Sequence, residues 1–247
     1  MAGLIRLRRN HTANATILLG KYSNTDDNEL SEAFQATKDV NGIFFDLSNM
    51  AYTGSNSNWN LVLRVLATRE NLESVKLRGD CYAALRYYSP ECVAPFLLAI
   101  QQNFNIQTVD LYRLRLSGDS MASFLDRATS ITTLKIWSCG MEAPDDALAV
   151  AAAVQRNTNI QLLELGELDD ASLILILSSL ACNTSVRELR LTNYGSSSLD
   201  LSRAVARLMQ ATTTIQRFEF NGSSNIGLGA PLVQSRKDLS KVQLLRM

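Results

Sequence analysis

The chain has 247 residues, enough for one extended domain or two small ones with a substantial core. Hydrophobic residues make up 46% and charged residues 19%, and 24 basic side chains balance 24 acidic ones. A neutral chain lacks the overall positive field that drives binding to nucleic acids or anionic membranes, so we expect neither as a partner. Its apolar stretches are shorter than the roughly 18 to 20 residues that a membrane span needs.

Thiol and imidazole side chains are too few and too scattered to predict a reaction centre. The spacings of the four cysteines match no zinc template. The single histidine, His11, precedes the main part of the pattern described below, so no catalytic triad can be built around it. We therefore expect no enzymatic activity, no metal and no cofactor. Charge follows a very short apolar start at the N-terminus, the reverse of a secretory signal, which favours a cytoplasmic location, with the nucleus as the alternative.

One short pattern recurs along the chain: an apolar residue, two residues, an apolar residue, one residue, and an apolar residue. Its final alternation predicts a β-strand. A weak copy is Val40-Ile43-Phe45, and a degenerate one lies near residues 15–19. The clear copies start 24 to 34 residues apart and are Leu72-Val75-Leu77, Ile106-Val109-Leu111, Ile131-Leu134-Ile136, Ile160-Leu163-Leu165, Val186-Leu189-Leu191, Ile215-Phe218-Phe220 and Leu239-Val242-Leu244.

Segments of helical character separate these copies, and most open with Ser, Asp or Pro, which favour a helix N-terminus. We predict helices over 26–37, over 58–69, from Ser89-Pro90-Glu91 to Ile100, from Asp119 through Leu125, from Pro144 through Val154, from Asp170 to Leu180, and from Ser198 or Asp200 through Met209. Pro95 is expected to delay the regular start of the third helix. One strand–helix unit cannot bury its apolar face alone, so the units are predicted to stack.

Two stretches, Asn157-Thr-Asn-Ile-Gln-Leu-Leu-Glu-Leu and Asn183-Thr-Ser-Val-Arg-Glu-Leu-Arg-Leu, resemble the leucine-rich repeats of the ribonuclease-inhibitor type. The resemblance covers residues 40–247. It implies an α/β solenoid, or horseshoe, of about eight strand–helix units with parallel inner strands and outer helices. Residues 1–39 would form an N-terminal capping segment with a degenerate first repeat.

The chain departs from that family at the ninth position of each unit, where the family usually carries Asn or Cys. Only Cys139 fits. The other positions hold Ser48, Asp80, Leu114, Leu168, Tyr194 and Ser223. We therefore expect irregular loops after the strands.

The resemblance places the residues between the apolar positions on the concave face, where equivalent residues of parallel strands lie about 4.8 Å apart. The middle positions are Lys76, Asp110, Lys135, Glu164, Arg190, Glu219 and Gln243. Their charge alternates over six units, which would keep a sheet in register and soluble. The alternative interpretation is a zwitterionic groove for a polar protein partner.

A second row lies two residues further along each strand: Arg78, Tyr112, Trp137, Gly166, Thr192, Asn221 and Leu245. Arg, Tyr and Trp are the residues most enriched at interface hot spots. The candidate partner-binding residues are therefore Lys76, Arg78, Asp110, Tyr112, Lys135, Trp137, Glu164 and Arg190. Burial of the two aromatics under the N-terminal loops is the alternative.

These observations predict a monomeric, non-enzymatic module that binds a protein on its concave face. Two other functions stay open. The family includes activators of small GTPases, whose known forms carry an acidic C-terminal tail, whereas residues 236–247 are basic. A structural spacer within a larger repeat protein is the third interpretation, and it predicts that Tyr112 and Trp137 are buried by self-contact.

Overall fold

A computed structural model describes residues 7–9, 14–18, 31–32, 34–35, 39–47, 57–79, 93–141, 143–193, 198–222 and 243–245. Strands and helices alternate along most of the chain. The strands are β1 (Leu7–Arg9), β2 (Asn14–Leu18), β3 (Gly42–Asp46), β4 (Ser74–Arg78), β5 (Thr108–Tyr112), β6 (Arg115–Leu116), β7 (Thr133–Trp137), β8 (Gly140–Met141), β9 (Leu162–Gly166), β10 (Glu188–Asn193), β11 (Arg217–Gly222) and β12 (Gln243–Leu245). The helices are α1 (Ser57–Thr68), α2 (Ala94–Gln102), α3 (Gly118–Arg127), α4 (Pro144–Arg156), α5 (Asp170–Leu180) and α6 (Leu199–Ala211).

Ten of these strands form one sheet in the order β1-β2-β3-β4-β5-β7-β9-β10-β11-β12. From β2 onward every neighbouring pair is parallel, and β1 pairs antiparallel with β2. The short strands β6 and β8 pair separately. Each predicted strand is thus confirmed, including the degenerate copy near residues 15–19, which is β2. The described residues of the predicted helix over 26–37, namely 31, 32, 34 and 35, are helical.

The apolar residues of the repeating pattern form the core. In β4, β5 and β7 the buried residues alternate with partly exposed ones, as period-two patterning requires. Helix side chains such as Phe96 and Phe124 pack into the same cluster. Each fully buried side chain of this size stabilises the fold by about 1.5–3 kcal/mol. One continuous core therefore holds successive strand–helix units together.

Local sequence decides where the helices begin. The side chains of Ser117, Asp169 and Ser198 cap helices by accepting hydrogen bonds from the backbone N–H groups three residues later. Helix α3 therefore begins at Gly118, with the predicted Asp119 in its first turn. Helix α2 begins at Ala94, with Pro95 in its first turn. The predicted start at residues 89–91 lies outside the described residues.

Buried asparagines connect the helix exits of neighbouring units. The side-chain amide of Asn157 donates to the carbonyl oxygen of Leu125 at 2.7 Å, and its oxygen accepts from the N–H groups of Asn159 and Ile160. Asn103 and Asn183 make the equivalent bonds in their own units. These amides satisfy backbone groups that α-helices leave unpaired at their ends.

The expectation of irregular loops after the strands is wrong for the described turns. Backbone hydrogen bonds continue the parallel ladder one residue beyond the strands, for example from Arg113 N to Trp137 O at 2.9 Å and from Ser138 N to Gly166 O at 2.8 Å. The residues directly after β5, β7 and β9 share left-handed φ angles of 53°, 50° and 52°. The ninth positions of these three units are filled from the interior: Leu114 and Leu168 are buried, and the thiol of buried Cys139 donates to Leu111 O.

The register of the last strand, β12, differs from the predicted one. Phe218 pairs with Leu244, so Gln243 lies beside Arg217 rather than Glu219, and Leu245 lies beside Glu219 rather than Asn221. The strand is displaced by two residues from the predicted register. A two-residue shift preserves the alternation of faces, and a period-two pattern cannot distinguish it from the predicted alignment.

Candidate functional site

Alternate residues of β4, β5, β7, β9, β10 and β11 lie on one side of the sheet, and we call this side the strand face. Most of its described side chains are partly exposed, whereas Gly166 and Thr192 are buried. The predicted rows lie on this face in the predicted order through β11. Backbone pairing aligns Lys76, Asp110, Lys135, Glu164, Arg190 and Glu219 in one row, and Arg78, Tyr112, Trp137, Gly166, Thr192 and Asn221 in the other. All eight candidate residues therefore share one continuous surface.

Opposite charges pair along the first row. Lys76 Nζ lies 2.8 Å from Asp110 Oδ2, and Lys135 Nζ lies 3.4 Å from Glu164 Oε2. Arg190 Nε lies 3.2 Å from Glu219 Oε2. The predicted alternation thus becomes three ion pairs between neighbouring strands. Because these groups are partly exposed, each pair contributes about 0.2–1 kcal/mol.

A denser ionic cluster occupies the part of the face formed by β10 and β11. Arg190 contacts Glu188 of its own strand at 2.5 Å, and Arg217 contacts both Glu188 and Glu219. Burial alone would lower the pKa of Arg190, but its hydrogen bond to Glu188 and the nearby carboxylates raise it above the ordinary value. The sequence analysis missed Glu188 and Arg217, although each lies two residues before a middle position and so on the same face.

Three cationic groups surround the ring of Tyr112. Lys76 Nζ lies 5.4 Å from the ring centroid, and the guanidinium carbons of Arg78 and Arg113 lie at 5.7 Å and 5.2 Å. Lys76 and Arg78 come from the neighbouring strand β4. Arg113 reaches the ring from the turn after β5, where its φ angle is 53°. All three separations are within the range of cation–π attraction. Sequence reasoning missed Arg113, because no periodic pattern predicts a left-handed residue.

Trp137 is fixed against β9. Its indole N–H donates to Glu164 Oε1 at 3.0 Å. The ring also lies over Gly166, where an added Cβ would be 2.6 Å from Trp137 Cδ2. Both Tyr112 and Trp137 nevertheless remain partly exposed. The interpretation as a structural spacer predicts that self-contact buries Trp137. Such a contact exists on one side of the indole, but the ring remains partly exposed.

In the described part of the chain, no group of three or more His, Cys, Asp and Glu side chains is arranged to hold a metal ion. Among the described helices, none has the length and apolar character to cross a membrane. His11 lies outside the described residues.

Comparisons with known proteins give similarities to solved structures. No protein-family model matches the chain, and no curated protein matches it. A solved structure titled "Leiomodin-1 Actin-Binding Site 2 (ABS2)" is similar over 73% of this chain and 88% of that chain, with 14% sequence identity and a TM-score of 0.42. A similarity at this score and identity transfers neither a fold nor a partner to this chain.

Proposed function

We propose that this chain is a leucine-rich-repeat solenoid of the ribonuclease-inhibitor-like type that binds a protein partner on its concave strand face. Tyr112 and Trp137 would be the anchors, with Arg78 as their polar neighbour. In this proposal the protein is a cytoplasmic monomer without enzymatic activity or cofactor. The parallel sheet, the intervening helices and the repeat spacing support the solenoid.

One observation supports binding more than any other: two partly exposed aromatic rings occupy neighbouring register positions on the strand face. Tyr112 pairs with Trp137 across β5 and β7, and both rings are partly exposed. The bond from Trp137 to Glu164 and the contact with Gly166 restrict the indole before any partner arrives. Restricting a side chain in advance lowers the entropy lost on binding, so fixed aromatic rings are effective anchors.

The direct test is affinity capture from a cell lysate with the wild-type chain and with a Tyr112→Ala/Trp137→Ala variant. A protein held by the wild type and lost from the variant supports the proposal. The matched control is Phe104→Ala/Leu148→Ala, which removes two exposed apolar side chains, 75% and 50% accessible, away from the strand face. This control should retain the captured protein.

Circular dichroism and thermal unfolding must show that each variant is folded. If the double variant is unfolded, Tyr112→Ala and Trp137→Phe are used singly, since Phe keeps an aromatic ring over Gly166. Equal capture by wild type and folded variants would reject the aromatic anchors. Capture lost only from Phe104→Ala/Leu148→Ala would place the binding surface away from the strands.

A further inference from the structure

Trp137 is held by the units on both sides of it. Its carbonyl oxygen accepts a hydrogen bond from Arg113 N at 2.9 Å, and the next residue, Ser138, donates from its backbone N to Gly166 O at 2.8 Å. The indole ring lies against Gly166, and its N–H donates to Glu164 Oε1 at 3.0 Å. Backbone and ring are therefore both fixed, and the partly exposed surface of the ring is the part that a partner can reach.

The hydrogen bond to Glu164 also decides which chemistry the ring offers. Tryptophan has one side-chain donor, the indole N–H, and no acceptor. In Trp137 that donor is already used within the chain, by a carboxylate on a side chain that is only 13% exposed. A partner therefore meets the ring carbons of Trp137. A carbonyl or carboxylate oxygen of the partner could reach the N–H only by displacing a charged acceptor, which is the stronger kind.

The charged side chains in the neighbouring row are also paired within the face. Six of them form three ion pairs between adjacent strands: Lys76 with Asp110 at 2.8 Å, Lys135 with Glu164 at 3.4 Å, and Arg190 with Glu219 at 3.2 Å. A charged partner group would have to disrupt one of these pairs and lose its own hydration before it gained a new contact. An apolar side chain needs neither change, so the aromatic rings are the part of the face where contact lowers the free energy most.

We infer that Glu164 is the positioning and specificity-determining residue of the strand face: it holds Trp137 so that the ring accepts an apolar side chain of a polypeptide partner in preference to an acidic one. This inference rests on the proposed function, because it specifies the partner chemistry of the same surface. The bond to Glu164 fixes the ring, which lowers the entropy lost on binding. It also withholds the indole N–H from an incoming oxygen atom.

The first measurement follows the exchange of the Trp137 indole N–H with water by nuclear magnetic resonance of the whole chain. Loss of the signal in Trp137→Phe distinguishes it from that of Trp59. Glu164→Ala should speed the exchange roughly tenfold, as for the loss of one hydrogen bond to a charged group. Glu164→Gln keeps a carbonyl acceptor and should change it less. Glu219→Ala is the matched control, because the Glu219 side chain is 15% exposed in the same row but pairs with Arg190, and it should leave the exchange unchanged.

The second measurement titrates two probes, N-acetyl-leucine methylamide and N-acetyl-aspartate methylamide, and follows the same indole signal. The wild type should bind the leucine probe more tightly than the aspartate probe, and added salt should not weaken that binding. Glu164→Ala should bind the leucine probe about two- to tenfold more weakly, because a freed ring loses entropy on binding. It should bind the aspartate probe more tightly, because the indole N–H and Lys135 then lack the carboxylate that they share. A purely structural role of Glu164 would weaken the binding of both probes alike.

If Glu164→Ala is not folded, Glu164→Met takes its place, since methionine is of similar length and is only a weak acceptor. Unchanged indole exchange would overturn the inference, as would an aspartate probe that binds the wild type as tightly as the leucine probe, or no binding of either probe. Partner capture that requires Tyr112 and Trp137 but is the same with Glu164→Ala would reject this inference and leave the proposed function standing. Capture that is independent of both aromatics rejects the binding surface itself.

Discussion

The indole of Trp137 covers Gly166 so closely that a single added carbon would collide with the ring. The built Cβ lies 2.6 Å from Trp137 Cδ2 and 2.7 Å from Cε3. Glycine at the end of β9 therefore gives the space that the ring occupies, and Glu164 holds the ring there through the indole N–H. A contact between residues 29 positions apart thus shapes the candidate anchor.

Gly166→Ala should move the indole and destabilise the fold by about 1–3 kcal/mol, the usual range for inserting a methyl group into an occupied space. Urea unfolding followed by circular dichroism measures the stability. Gly140→Ala is the control, because a Cβ at Gly140 meets nothing within 4 Å. Gly140→Ala should not lower the free energy of unfolding. It can raise that free energy by up to about 1 kcal/mol, because alanine restricts the unfolded chain more than glycine does. Equal effects of the two substitutions would reject the packing of Trp137 on Gly166.

Asn157→Ala should lower the free energy of unfolding by about 2–4 kcal/mol. The substitution leaves the carbonyl of Leu125 and the N–H of Ile160 without the partners that Asn157 provides. Both lie in the interior, where an unpaired polar group carries its full desolvation penalty. Asn105→Ala is the control, since that side chain is exposed, and it should change stability by less than about 0.5 kcal/mol. A similar small effect at Asn157 would show that water replaces the amide.

Asp146→Ala should destabilise the chain more than Asp145→Ala, although both acids lie in the first turn of α4. Asp146 accepts from Gly118 N at 2.6 Å and from Ala143 N at 2.7 Å, so it joins α3 to α4. We expect a loss of about 1–2 kcal/mol at Asp146. Asp145 is exposed and contributes mainly through the helix dipole, about 0.3–1 kcal/mol. Thermal unfolding of the two variants compares them directly, and equal shifts in Tm would reject the bridging role.

A double-mutant cycle between Lys76→Ala and Asp110→Ala should give a coupling energy of about 0.2–1 kcal/mol at low ionic strength. Added salt should reduce it, because both side chains are partly exposed. The equivalent cycle on Arg203 and Asp200, which are 57% and 75% exposed, should give a smaller value. A larger coupling than this range would mean that the ion-pair row stabilises the sheet strongly, rather than mainly setting its register.

The sequence alone determined the repeating unit, the positions of the strands that carry the repeating pattern, and most helix starts, but not β1, β6 or β8. Apolar periodicity and capping residues act over a few neighbouring positions, and Ser117, Asp169 and Ser198 bond to groups only three residues away. For the same reason the sequence placed Tyr112 beside Trp137: once the strands are aligned, equivalent positions become neighbours.

Only the tertiary structure decided the contacts between units. Backbone pairing set the register of β12, since a two-residue shift preserves the same face. The left-handed φ of Arg113 brings its charge to Tyr112, and the space above Gly166 receives the Trp137 ring. These contacts join residues that the stacking of the units brings together. Composition and spacing along one segment therefore do not predict which side chains meet between units.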